Sequence, residues 1–165
     1  MKKATSILLA LIMVLTLAAC NNSTSPYALV ENPSEAYIVE CLQKISGITG
    51  IEAATEDNDP NGQLNKAGGY TAHVYFAHEL VDPEELYEDG IIANGTDSGG
   101  SIEVYATEED ALERDAYLAG FDGTAFASGS HTVVGTVVVR TSNLLTASQQ
   151  KALEAEIVDT LLGNP

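Results

Sequence analysis

Four oxygen-bearing side chains stand at alternate positions of one short stretch, Asp57, Asp59, Asn61 and Gln63, inside the acid-rich run from Glu56 to Gly69. A hard divalent cation such as calcium takes roughly six to eight oxygen ligands, and carboxylates and amides at this spacing are the groups that supply them. Gln63 would contribute its backbone carbonyl. The same Asp, Asn, Pro and Gly residues also suit a long hairpin turn, because they tolerate tight backbone and bond to it. Two cofactor expectations therefore stand side by side: a weakly bound calcium ion, or none.

A second group is assembled by strand periodicity. Residues 70–78 alternate Tyr70, Ala72, Val74 and Phe76 against Thr71, His73, Tyr75 and Ala77, and Ile102 to Ala106 alternates in the same way. If helices cover the apolar side, the opposite sheet face gathers His73, Tyr75, Glu103, Tyr105, Thr136 and Arg140. Aromatic and ionisable groups on an open face make a binding surface, and Arg140 suits a carboxylate there. The alternative is an ordinary solvated face. His73, His78 and His131 lack a metal-ligand spacing, and no Cys pair or phosphate-binding glycine loop is present. Enzyme function is thus the weaker class.

The elements that must position these groups read as one α+β domain. Asn32 as cap and Pro33 as first helical residue open a helix whose stripe is Ile38, Cys41, Leu42 and Ile45, with Gly47 able to end it. Strands follow at Ile51 to Thr55, Tyr70 to His78 and Ile102 to Ala106, with an acidic helical turn at Asp82-Pro83-Glu84-Glu85 between the last two. Thr107 caps a second main helix with Ala111, Leu112, Ala116, Leu118 and Ala119 as its apolar side, and His131 to Arg140 is a β-branched run expected to be one central strand. Thr146 with Gln149 forms a capping box for a last helix through Leu153, Ile157 and Leu161. The expectation is a two-layer sandwich: a mostly antiparallel four-stranded sheet with three helices on one face. Residues 102–140 should form a right-handed strand-helix-strand crossover. Cys41, in an apolar stripe with no basic neighbour in sequence, reads as a buried small hydrophobe.

Several stretches resemble known families. Residues 57–65 resemble the calcium loops of EF-hand and dockerin modules, with Gly62 at the sharp turn, but Gly68 stands where their bidentate acid belongs and the flanks read as strands. Met1-Lys2-Lys3 followed by the apolar run from Ile7 to Leu17 is an export signal, too short for a comfortable membrane span. Leu17-Ala18-Ala19-Cys20 resembles the lipobox of bacterial lipoprotein precursors. The resemblance implies removal of residues 1–19, lipid on Cys20, a tether over 20–33, a domain over 34–165, and residence on the extracytoplasmic face of the cell membrane. Segments such as Asn65 to Ala72 are similar to small uncharacterised lipoproteins of Gram-positive bacteria. Asp97-Ser98-Gly99-Gly100 resembles the nucleophile motif of chymotrypsin-type proteases and Thr71-Ala72-His73 their histidine motif, but the chain is too short for their two barrels.

Charge narrows the partners. The chain carries −17, and loss of residues 1–19 removes Lys2 and Lys3 but no acid, giving −19. Such a surface has no basic footprint for nucleic acid and is repelled by anionic head groups, so the lipid must do the membrane work. With Cys20 acylated, only Cys41 is left and no internal disulfide can form. Two functions from different classes follow. One is a tethered binding or scaffold module for an unknown protein or cell-wall partner. The other is an acidic inhibitor or decoy for a cationic extracellular protein such as a cell-wall hydrolase, with a hydrolase activity of its own as the outsider.

Overall fold

The computed structural model describes residues 30–124, 126–127 and 129–163. The export signal, the lipobox and Cys20 lie outside the described residues. The chain runs α1 (Glu35–Leu42), β1 (Ile48–Ala53), β2 (Tyr70–His78), α2 (Ile91–Asn94), β3 (Gly99–Tyr105), α3 (Glu108–Ala119), β4 (His131–Val134), β5 (Val137–Thr141) and α4 (Ala147–Leu161), with short 3-10 turns at Pro83–Glu85 and Gly95–Ser98. The architecture is α+β, built on one five-stranded sheet in the order β1-β2-β3-β5-β4, every neighbouring pair antiparallel.

Local chemistry explains most element boundaries. Thr107 caps α3 by accepting from the Asp110 N–H, Asp82 caps the 3-10 turn behind it, and both halves of the Thr146–Gln149 box are made. The first helix starts later than expected. Ser34, not Asn32, accepts from the Tyr37 N–H, while the Asn32 N–H donates to Thr136 Oγ1. Val30 is buried in the core and its carbonyl accepts from the Thr136 N–H, so residues 30–32 are docked on the sheet and the folded unit begins before residue 34.

Three expectations about the sheet need correction. The run from His131 to Arg140 is not one strand but the hairpin β4–β5, because Gly135 (φ 60°) takes the left-handed position at the start of a two-residue turn. The sheet therefore has five strands rather than four. The crossover through α3 lands on the edge strand β4, and β5 returns between β4 and β3, so the pairing of β3 with residues 137–141 is antiparallel.

Among the described residues the helices, four rather than three, do not share one face. α1 and α4 cover Ala72, Val74, Phe76, Ile102, Val104, Val137 and Val139, with Cys41 buried among them as expected. α3 lies on the other side, where Ala111 and Leu118 pack with Leu64, Tyr70, Tyr105 and Val138, while Leu112 stays exposed. The loop between β1 and β2 and the segment 91–98 complete that second cover. β3 and β5 are consequently buried along their whole length, as a strand covered on both faces must be.

A side chain at position 135 would meet two obstacles. The backbone is left-handed there, and a Cβ would lie 2.2 Å from the Val30 carbonyl oxygen. Gly135→Ala should therefore lower unfolding free energy by roughly 1–3 kcal/mol in denaturant titration. A change within about 0.5 kcal/mol would mean that residue 30 is not held against the turn.

Candidate functional site

The strand register places His73 opposite Glu103 and Glu103 opposite Val138 in one row, and Tyr75 opposite Ser101 and Ser101 opposite Arg140 in the next. The expected grouping of His73, Tyr75, Glu103, Tyr105 and Arg140 on one sheet face is thus what the strands build. The face is not open, however. His73 and Glu103 are 0% exposed, and Tyr75, Tyr105 and Arg140 are buried, because α3 and the β1–β2 loop roof them. Thr136, expected on this face, is spent in the β4–β5 turn against Val30.

Glu103 is the centre. Arg114 of α3 grips it with a fork, Nε donating to Oε2 at 2.8 Å and Nη2 to Oε1 at 2.9 Å. Arg140 donates from Nη1 to Oε1 at 2.9 Å, and the Tyr105 hydroxyl donates to Oε2 at 2.8 Å. Burial alone would raise the Glu103 pKa, but the Arg114 bonds and the nearby His73 and Arg140 more than offset it, holding the carboxyl at about 2. The same pairing raises Arg114 despite its own burial, and burial followed by the Glu103 charge pushes the Tyr105 hydroxyl up. Sequence reasoning missed Arg114, although it is one of only two arginines in the chain.

His73 sits between Tyr70 (ring centroids 4.6 Å apart) and Tyr75 (4.0 Å). Its Nε2 lies 3.9 Å from Glu103 and its Nδ1 4.0 Å from Asp59, both beyond hydrogen-bond reach, so neither buried ring nitrogen has a partner. Burial drives the ring towards neutrality, Glu103 opposes this, Arg140 reinforces it, and the pKa falls to about 4. Ser101 Oγ, in the adjoining row, is the third buried polar atom lacking a partner.

The four residues expected around calcium are arranged as a turn. Asp59 Oδ2 accepts from the Gln63 and Leu64 N–H groups, at 2.7 and 2.9 Å, and Oδ1 accepts from the Asn61 N–H and the Tyr70 hydroxyl. Asn61 Nδ2 donates to Tyr70, Asp57 is exposed, and the Gln63 side chain returns to the Asn61 carbonyl. Burial would raise the Asp59 pKa, but Tyr70 and these N–H groups lower it. Both Asp59 oxygens thus accept bonds within the loop and from Tyr70. Among the described residues no three His, Cys, Asp or Glu side chains are grouped as metal ligands. The protease-like pieces do not meet either. Ser98 is buried with Oγ donating to the Ile91 carbonyl, and His73 is held between Tyr70 and Tyr75 with no bond from either ring nitrogen.

Two clefts open beside this loop, and Asn61 borders both. One, of about 390 Å³, lies towards α3 between Tyr70, Tyr105, Arg114 and the exposed Tyr117. The other, of about 400 Å³, lies towards α2, with Tyr75, Asp97, Phe126 and Arg140 in its walls. Asp97 is raised by burial, against the pull of Arg140. Comparison with family models, curated proteins and solved structures finds no match for this chain.

The buried histidine sets a pH window. Its folded pKa, about 4, lies below its unfolded value near 6.5, so the unfolded state binds the proton first; stability is complete above pH 6.5 and is lost as pH falls towards 4. His78, lowered mainly by burial, acts in the same direction. Glu103 adds a second loss from 4.5 down to about 2. The melting temperature should hold above pH 7 and fall between pH 6.5 and 4. His73→Phe, which keeps a ring between the tyrosines, should remove roughly 3 kcal/mol of that loss. An unchanged slope in the variant would place the titration elsewhere.

Proposed function

We propose that this chain is a membrane-anchored extracytoplasmic lipoprotein whose folded unit is a small binding module. The export signal and the lipobox resemblance at Leu17 to Cys20 support the anchor. Among the described residues, no helix is long and apolar enough to cross a membrane, and the lipid on Cys20 supplies attachment without one.

The observation that carries the binding reading is the pair of clefts on either side of Asn61, walled by tyrosines, a phenylalanine, both arginines and a few carboxylates and amides. Small-molecule sites are concavities of about 300–1,000 Å³ with a few fixed polar groups, and both clefts fall within that range. The floor beneath them is stiff. Glu103 and its partners lock the side chains below, and the Asp59 bonds hold the loop between. Calcium is not required by this reading, because Asp59 is held by donors of its own loop.

The charge of −17, or −19 after export, favours a second reading, an electrostatic decoy for a cationic partner such as a cell-wall hydrolase. Salt separates the two. Screening shortens from about 10 Å at 0.1 M to 3 Å at 1 M, which weakens a decoy steeply and a cleft-bound ligand little.

The full chain produced in a bacterial host should appear in the membrane fraction, and Cys20→Ala should move it to the soluble fraction or leave it as unprocessed precursor. The wild type should retain a ligand from an envelope extract at both 0.1 M and about 1 M salt. Membrane retention of the Cys20→Ala form would contradict the anchor, and complete loss of the ligand at high salt would transfer the reading to the decoy.

A further inference from the structure

The cleft towards α2 brings a guanidinium, a carboxylate, a phenol and an exposed aromatic ring together. Its floor is a cross-strand row, Tyr75 on β2, Ser101 on β3 and Arg140 on β5. Tyr75 and Arg140 line the cleft. Ser101, between them, is fully buried with Oγ unpartnered. Ser101 itself lies beneath the lining, so the groups that face the cleft are those of its neighbours in the row, Tyr75 and Arg140. Asp97 stands in the wall within electrostatic reach of Arg140, and Phe126 is 79% exposed beside them.

We propose that this cleft binds a neutral, hydroxyl-rich ligand of the saccharide class. The inference rests on the binding-module reading and names the ligand. A hydroxyl both donates and accepts, so adjacent hydroxyls can accept from Arg140 and Tyr75 while donating to Asp97; a ligand with only donors or only acceptors meets half of the site. The Phe126 ring offers an apolar face for the C–H side of a sugar ring. Charge excludes the other small ligands. Anions are repelled by the field of a −17 chain, and an ammonium, which donates but cannot accept, takes no bond from Arg140 or Tyr75. The volume of about 400 Å³ is within the usual range for a small organic ligand.

Saturation-transfer NMR on the full chain, in micelles of a detergent that carries no sugar, tests this directly. The probes are N-acetylglucosamine, N,N′-diacetylchitobiose and maltose as neutral saccharides, with galacturonate and glucosamine as their charged counterparts. At least one neutral probe should receive saturation and bind at least tenfold more tightly than either charged probe. Tyr75→Phe and Phe126→Ala should each weaken that binding about tenfold, and Lys151→Ala, on the helix across the sheet, should leave it unchanged. Phe126 is exposed, so its variant remains informative if Tyr75→Phe fails to fold. Silence from all neutral probes, preference for a charged probe, or equal binding by Phe126→Ala overturns the saccharide assignment. If the chain still retains an envelope ligand at high salt in that event, only the ligand class falls; if it retains none, the binding-module reading falls with it.

Discussion

Everything on the α3 side of the sheet depends on one buried carboxylate. Taking Glu103 out of water is expensive, and mutual attraction offsets the desolvation only when geometry is good and every lone pair finds a donor. Here the carboxylate accepts a two-pronged grip from Arg114, one bond from Arg140 and one from Tyr105. The chain has 24 acidic residues and two arginines, and both arginines bond this single glutamate. The pairing joins separate elements: Glu103 and Tyr105 come from β3, Arg140 from its neighbour β5, and Arg114 from α3. It thereby fixes which side of the sheet α3 covers.

The remaining features of that layer follow from the same constraint. His73 lies in the Glu103 row with no donor or acceptor at bonding distance, and burial keeps it neutral, so its ring serves as packing between Tyr70 and Tyr75. Tyr70 in turn reaches Asp59, and Asp59 gathers the N–H groups of its own loop, so the acid-rich stretch is tied to the sheet through one phenol. Beneath the clefts, the buried side-chain polar atoms of the described residues all have hydrogen-bond partners except at Ser101 and His73. On the other side of the sheet the physics is simpler. α1 and α4 close an apolar core, and Gly100 lets the Phe76 ring lie where a Cβ would come within 2.4 Å of it.

Local chemistry was readable where it is strictly local. The Thr107 cap, the Thr146–Gln149 box and the Asp82-Pro83 turn all depend on neighbours within a few residues, and the structure has each of them. The face shared by His73, Tyr75, Glu103, Tyr105 and Arg140 was also readable, since alternation places side chains without knowledge of the fold. Its burial was not, because polar alternation looks the same under water and under a helix that brings an arginine. The scarcity of arginine, and Arg114 within an otherwise acidic helix, was the available signal. The β4–β5 hairpin failed for a related reason: strong β propensity on both sides of Gly135-Thr136 masked a Gly-X pair that suits a two-residue turn. The N–H bonds gathered by Asp59 were legible as turn chemistry in the same run of Asp, Asn, Pro and Gly.

The most direct test of this account is the stability of Glu103→Gln, which keeps the size and shape of the side chain and removes only its charge. Equilibrium denaturation of the full chain at pH 7 should show a loss of about 3–5 kcal/mol, or no cooperative transition at all, because two arginines would then face an uncharged amide in a buried layer. A loss below about 1 kcal/mol would contradict the account and leave the sheet and α3 held by apolar packing alone.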